Sequence, residues 1–344
     1  MTQSILLVGA GAVGQVYAWH FARAGHDVHF FLKEKHVAEA RQGFTLYDLN
    51  RDRKRRNPLD FREFGCQSDW AEVAKRRWDQ VWLCMSSSAL AKTDLAPMVA
   101  AIGDATVVVL QPGPDDLARV RQAVPAERVV AGMITLMSYH APLAGETMPR
   151  PGIAFWIPPL TPMAIDGPRE RAVAVIGLLR GSGIRATLRP GFHQQGVHAN
   201  GFFMVLLGAL ELAGWNFRTL SRDAELLDLM KAAQGEVHAA VALRYGVSAP
   251  FVLRALPGGV AACGLRVGRN LTPVDLQTFF EAHFSKVRDQ TVLLLDHYAA
   301  LAEQNGVAHP ALDALRGKLA ATPAPAARNS GSGTPTTPAS AMRA

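Results

Sequence analysis

The chain has 344 residues, 49% of them hydrophobic and 19% charged, with a formal net charge of +7. That length holds two domains of ~100–200 residues each. No apolar run reaches the ~18 residues of a membrane span, and no basic leader precedes the first apolar run, so a soluble, unexported protein is expected. Cys66, Cys84 and Cys263 are far apart and form no metal spacing, which fits a reduced, cytoplasmic setting.

Ile5–Val8 is a short apolar run that ends in Gly9-Ala10-Gly11-Ala12-Val13-Gly14. Val13, Val16, Tyr17, Phe21 and Ala24 then share one helical face, and Gly25 closes the helix. Asp27–Leu32 reads as a second strand. Strand, glycine turn, helix and strand make one βαβ unit with a right-handed crossover. The spacing is G-x-G-x-x-G, and its context is that of a dinucleotide-binding turn. Gly9 permits the tight turn, Gly11 lets a diphosphate approach the backbone, and Gly14 lets the helix lie close to the strand. The first-turn amides of Ala12, Val13 and Gly14 face the phosphates with the positive end of the helix dipole.

Leu32-Lys33-Glu34-Lys35-His36 follows the second strand. An acid here would bind a ribose hydroxyl, as in NAD domains, whereas Lys33 and Lys35 would neutralise a 2′-phosphate. Two cations around one acid favour NADP. Arg51–Arg56, the densest basic cluster, reads as a solvated loop. It has no interleaved aromatics and no nucleic-acid module around it, so no nucleic-acid partner is expected.

Gln80–Met85 and Thr106–Leu110 are continuous apolar runs, as in strands covered on both faces. Arg128–Ala131 is a further strand candidate. Gly152–Ile157 and Pro162–Ile165 read as antiparallel strands around Pro158-Pro159. Arg169–Leu179 reads as a helix, and Gly183–Leu188 as a last strand. From His193 helical periodicity dominates: through Arg218, over Ala224–Tyr245, and over Pro273–Asn305. The fold class expected is α/β: a Rossmann-type dinucleotide-binding domain over 1–190, then an all-α domain over 191–320. The tail 321–344 is rich in Pro, Ser, Gly, Thr and Ala and is expected to be disordered.

The run ILLVGAGAVGQVYAWHFARAGHDVHFFLK, the turn VVVLQPGPDDL, the helical second half and EQNGVAHPALDAL together resemble the ketopantoate reductase (2-dehydropantoate 2-reductase) family. The resemblance covers residues 3–318 and is strongest in the first third. It implies a Rossmann domain and an all-α domain with NADP and substrate in the cleft between them. The reaction it implies is hydride transfer from NADPH to the ketone of a 2-oxo acid, with a lysine polarising the oxygen. It also implies a homodimer through the helical half.

Carried over residue by residue, the cofactor side survives. Gly9, Gly11 and Gly14 match the family glycines, and Lys33 stands where the family has an arginine for the 2′-phosphate. The charge is kept but the bidentate fork is lost. The chemical side departs from the pattern. The family turn LQNG or HNG is here Leu110-Gln111-Pro112-Gly113, so Pro112 replaces an asparagine and offers neither an amide side chain nor an N–H. Ser86, in Met85-Ser86-Ser87-Ser88, takes the place of a lysine. Ala199 or a neighbour stands at the catalytic lysine, and no lysine occurs between Lys92 and Lys231. Gln290 falls on the family glutamate.

Residues left to supply a proton or an electrophile are His198 and Asn200, at the start of an apolar helix, and Gln290. The bland reading of His198 and Asn200 is a capping or solvent-facing pair. Glu211 reads either as a cleft carboxylate or as an exposed helix edge. Glu236 and His238 read as a core-flanking helix. His283 and Gln290 are seven apart and would share a helical face lining the cleft. His140 falls near the domain junction and reads as core. No serine–histidine–acid order stands out. The expectation is an NADP-dependent oxidoreductase acting on a small carbonyl (2-oxo acid-like) or imine substrate. The rivals are a catalytically silent NADP-binding regulator or sensor, and a true ketopantoate reductase with rearranged groups.

Overall fold

The computed structural model describes residues 2–55, 57–251, 253 and 272–323. In chain order its strands are β1 (Ser4–Val8), β2 (Asp27–Phe31), β3 (Phe44–Asp48), β4 (Leu59–Phe61), β5 (Gly65–Gln67) and β6 (Gln80–Leu83). They continue as β7 (Thr106–Val109), β8 (Val129–Gly132), β9 (Met137–Ala141), β10 (Gly152–Trp156), β11 (Met163–Asp166) and β12 (Ala186–Leu188). Eight of them form one sheet in the order β12-β11-β8-β7-β6-β1-β2-β5. Every pairing in it is parallel except β8 with β11.

β6, β7 and β8 are buried at every position, because helices cover both faces. Alternate residues of β1 show the two layers. Ile5 and Leu7 join the core under α1 (Ala12–Arg23) and α7 (Arg169–Gly181). Leu6 and Val8 join the core under α4 (Ser87–Lys92), α5 (Ala96–Ala101) and α6 (Asp116–Ala123). A second sheet, β4-β3-β10-β9, lies over α1. Its Leu46, Ile153 and Phe155 pack into the α1 core, while Tyr47, Tyr139 and Ala154 pack against the C-terminal helices.

Those helices are α8 (Phe192–Leu212), α9 (Phe217–Leu220), α10 (Ala224–Tyr245), α11 (Leu276–Lys286), α12 (Arg288–Gln304) and α13 (Pro310–Ala321). Gly201 brings α8, α10 and α12 together: a Cβ there would lie 2.4 Å from Val237 and 3.1 Å from the Tyr298 ring. Glu236 caps α13 by accepting the N–H groups of Ala311 (3.0 Å) and Leu312 (2.7 Å). The fold class read from the sequence holds: a parallel-sheet α/β region followed by helices.

Several local expectations do not hold. Gly152–Ile157 and Pro162–Ile165 do not pair. β10 enters the small sheet between β3 and β9, whereas β11 enters the large one between β8 and β12. Gly132 admits β11, since a Cβ there would lie 2.6 Å from the Met163 methyl. The helix expected over Pro273–Asn305 breaks at Val287 (φ −111°, ψ 28°), so His283 and Gln290 belong to different helices. The basic cluster is not all solvated loop. Arg55 turns inward at φ +53°, pairs with Glu146 at 3.0 Å and donates to the Pro273 carbonyl at 2.6 Å. Ala321 ends α13; the rest of the expected disordered tail, from 324, lies outside the described residues, as do Arg56 and Cys263.

Candidate functional site

The turns that follow β2, β1, β6 and β7 lie side by side along the carboxyl edge of the large sheet. With adjacent strands ~4.8 Å apart, that edge is a track ~14 Å long. After β1, Gly9 takes φ +104° and donates its N–H to the Phe31 carbonyl at 3.1 Å. Gly11 is the extended N-cap of α1, and a Cβ there would meet nothing within 4 Å. A Cβ on Gly14 would lie 2.5 Å from the Gly9 carbonyl oxygen. Gly14 is therefore a packing glycine and Gly11 an open one.

The first intrahelical bond of α1 runs from Gln15 N–H to the Gly11 carbonyl at 2.9 Å. The N–H groups of Ala12, Val13 and Gly14 precede it and have no acceptor within the helix. No acidic residue lies in that turn to offset their partial positive charge. This bare, cationic helix end beside an open glycine fits the diphosphate of a dinucleotide.

On the β2 side, Lys33 and Lys35 are exposed, and the Glu34 carboxylate accepts the Ser68 hydroxyl. After β6, Ser86 caps α4, its hydroxyl accepting the Ala89 N–H at 3.2 Å and lying 3.0 Å from the Ser88 hydroxyl. After β7, the buried Gln111 donates its amide to the carbonyls of Leu83 (2.9 Å) and Met85 (2.7 Å). Gln111 thus ties the ends of β6 and β7 together. Pro112 is exposed at the tip of this turn.

Sequence reading missed the residue that holds the two turns in register. Asp116 accepts the Gly113 N–H and the Ser87 hydroxyl, each at 2.7 Å. Burial raises its carboxyl pKa, and those two hydrogen bonds oppose the rise. The signal was an acid just past a Pro-Gly-Pro turn, at the start of a helix.

The C-terminal helices close over the same turn. The Tyr245 hydroxyl donates to the Pro114 carbonyl at 3.0 Å, and a Cβ on Gly113 would lie 3.0 Å from Leu294. On α12, Gln290, Leu294 and Tyr298 follow at intervals of four, so they rise along one side at ~6 Å per step. Leu294 meets the Gly113 turn, and the Tyr298 hydroxyl lies 2.9 Å from Asn200 Oδ1 and 2.8 Å from the Val197 carbonyl. Gln290 and Asn200 therefore bracket the contact between α12 and the turn. Neither Gln290's side-chain amide nor Asn200 Nδ2 makes a hydrogen bond among the described residues.

His198 is elsewhere. It is fully buried, its Nε2 donates to the Val247 carbonyl at 2.7 Å, and its Nδ1 lies 3.2 Å from His238 Nδ1. Both ring nitrogens are engaged, and burial lowers its pKa. Glu211 is neither cleft carboxylate nor exposed edge: it is buried and pairs with Arg288 at 2.5 Å. His140 is exposed, rather than core, on the edge strand β9, within electrostatic reach of His283 and Lys286 on α11. His283 stacks on Phe279, and burial pushes its pKa down to about 4. Among the described residues no cluster fits a metal ion, and no helix is long and apolar enough to cross a membrane.

Residues 5–145 match the family model described as ketopantoate reductase PanE/ApbA, so the resemblance read from the sequence holds over this region. No curated protein sequence matches the chain significantly. Among solved structures, 2-dehydropantoate 2-reductase from Geobacter metallireducens GS-15 is 17% identical at a TM-score of 0.68, covering 93% of this chain and 100% of its own. The PanE/ApbA family ketopantoate reductase from Ralstonia eutropha JMP134 is 20% identical at 0.67, covering 92% and 97%. D-mandelate dehydrogenase in complex with NADH is 14% identical at 0.68, covering 92% and 98%. At these identities the structures share the fold with this chain.

Proposed function

We propose that this chain is an NADP-dependent oxidoreductase of the ketopantoate reductase kind, acting on a small 2-oxo acid-like carbonyl or an imine. The observation that carries this reading is the unpartnered N-terminal turn of α1 beside the open Gly11. The family match over 5–145 supports it. NADPH, when bound, supplies the hydride. The amides of Ala12, Val13 and Gly14 hold its diphosphate. Lys33, with Lys35, takes the 2′-phosphate, Glu34 being engaged by Ser68. The turns carrying Ser86 and Pro112 border the opposite end of the track. Gln111, Gly113 and Asp116 fix the shape of those turns.

Gln290 is the side chain proposed to donate a hydrogen bond to the substrate oxygen as negative charge develops on it, and Asn200, held at Tyr298 on the other side of Leu294, to donate to a second polar group of the substrate. An amide donates a hydrogen bond but not a proton, so the proton that completes the alcohol comes from water. Leu294 and Pro112 exclude bulk water from one side. Part of the same reading is a homodimer through the helical half, where Leu243 and Phe251 are exposed; light scattering tests it.

The test is NADPH oxidation against a panel of 2-oxo acids, aldehydes and imines. Turnover that falls ~10–100-fold in Gln290→Leu, with NADPH affinity unchanged, supports the assignment. A second reading, a coenzyme-binding protein without turnover, is favoured by the engagement of both His198 nitrogens. It is the conclusion if NADPH binds tightly and no panel member is reduced.

A further inference from the structure

The side of α12 that meets the Gly113 turn carries a histidine with no role in the fold. Gln290, Leu294 and His297 recur at i, i+4 and i+7, so they form one stripe along the helix. Leu294 touches the Gly113 turn, and α12 also packs on α4. His297 stands one turn beyond Leu294, next to the Tyr298 that holds Asn200.

His297 is close enough to the turns to act on Asp116. Burial raises the pKa of the Asp116 carboxyl, and the charge of His297 is among the influences that oppose the rise. The two do not form an ion pair. The Asp116 oxygen is taken by the Gly113 N–H and the Ser87 hydroxyl, each at 2.7 Å.

A histidine that serves the fold is engaged by its neighbours, as His198 is at both ring nitrogens. His297 is half-buried and has no hydrogen bond or ion pair among the described residues. Its Nδ1 is sealed off without a partner, whereas Nε2 is not sealed. Buried polar groups rarely go unpaired, so this ring contributes no polar contact to stability. Nε2 is the atom that can reach a ligand.

Positive charge is scarce on the two helices concerned. α8 carries no lysine or arginine over its whole length, and the one arginine of α12, Arg288, is held by Glu211. His193 lies at the start of α8, within electrostatic reach of Arg121 and Asp166. His297 is the unengaged group on the stripe that takes up a proton near neutral pH.

The spacing suits a small acid. Gln290 and His297 are seven residues apart, ~10.5 Å along the helix, with Leu294 as an apolar floor between them. The keto and carboxylate oxygens of a 2-oxo acid, ~3 Å apart, span ~9 Å with a hydrogen bond of ~2.8 Å at either end.

We infer that His297 is a substrate-binding residue, holding the carboxylate of a 2-oxo acid through its Nε2–H while Gln290 holds the keto oxygen. The inference rests on the oxidoreductase reading above. Imidazolium to carboxylate is a charge-assisted hydrogen bond, stronger than a neutral one. It makes the site select an acid over an imine that lacks a carboxylate, because the imine leaves the charge of His297 unanswered.

The probe is oxamate, which has the carbonyl and the carboxylate of a 2-oxo acid but does not accept a hydride. It is titrated calorimetrically into the full chain saturated with NADPH. Saturable binding is expected, weakened at least ~10-fold in His297→Gln, which loses the charge-assisted bond. Oxamide, the uncharged counterpart, is expected to bind the parent at least ~10-fold more weakly than oxamate. That second comparison uses the parent alone, and the melting temperature of His297→Gln checks its fold. With NADPH bound, no oxamate binding, equal binding by His297→Gln, or oxamide as tight as oxamate overturns the inference and leaves the coenzyme site standing. A chain that does not bind NADPH defeats the oxidoreductase reading, and the inference with it.

Discussion

The carboxylate of Asp116 and the hydroxyl of Ser87 meet at 2.7 Å across the turns that end β6 and β7. The same oxygen accepts the Gly113 N–H at 2.7 Å, so one buried acid holds both turns that border the proposed coenzyme track. Asp116→Ala leaves two donors without their acceptor and is expected to cost ~2–3 kcal/mol in urea unfolding. Asp116→Asn keeps an amide oxygen with two lone pairs and is expected within ~1 kcal/mol of the parent. The sign of the charge effect agrees. Burial raises the folded carboxyl pKa, so ionised Asp116 costs stability as pH rises through it, and asparagine removes that cost. Equal losses in the two variants would contradict the assignment.

The two inner glycines of the turn are expected to fail differently. In Gly14→Ala the new Cβ would lie 2.5 Å from the Gly9 oxygen and 3.1 Å from the Cys84 Cβ, so stability falls by ~1–3 kcal/mol. In Gly11→Ala the Cβ meets no protein atom, so stability stays within ~1 kcal/mol. Coenzyme affinity nonetheless drops at least ~10-fold, because the methyl stands where the diphosphate approaches. Thermal melts beside coenzyme titrations separate the two.

The parts of the fold that were legible in the sequence are those whose signals are local. GAGAVG between two apolar runs marked β1-α1-β2, and continuous apolar runs marked β6 and β7. The small sheet was not legible, because its pairings are distant: Leu46 of β3 is in register with Ile153 of β10. Adjacency in the chain misled at Pro158-Pro159, where the flanking strands go to different sheets. In the site, the glycine turn was legible because its geometry is built into one peptide segment. His198 was judged by its place at a helix start, although its phase gave a better signal. It shares a stripe with Gly201, Phe202 and Val205, all buried. For Asp116 only the helix-start position was legible; its partner Ser87 comes from another turn and left no local trace.

Coenzyme choice is expected to depend on Lys33. Lys33→Ala should weaken NADPH ~10-fold and leave NADH within about twofold, because only NADPH carries the 2′-phosphate. Fluorescence titration with each coenzyme reads the difference, and an equal loss for both would reject the role.

Acid should destabilise the fold through His283. Its pKa falls from the model-peptide value of 6.5 to about 4, mainly through burial against aromatic rings, with His140 and Lys286 adding repulsion. A base with a lowered folded pKa binds its proton more weakly in the folded state. Its contribution is therefore present above pH 6.5 and lost as pH falls from 6.5 towards 4, up to ~3 kcal/mol in all. Unfolding curves of His283→Phe between pH 7 and 4 should be flatter than the parent's by most of that amount. Parallel curves would remove His283 as the source.

Glu211 is buried and its partner Arg288 half-buried, and Arg288 also donates to the Leu319 carbonyl at 2.7 Å, anchoring the end of α13. Glu211→Ala strands the guanidinium and should cost ~3–5 kcal/mol, whereas Glu211→Leu/Arg288→Met should cost much less. A double-mutant cycle by urea unfolding gives the coupling.

Calorimetric titration of the folded protein with NADPH tests the central claim most directly, that the free amides of Ala12, Val13 and Gly14 grip a dinucleotide diphosphate. The account predicts saturable binding at one site per chain, weakened in Gly11→Ala while the melting temperature holds. A folded protein that binds neither NADPH nor NADH would contradict it.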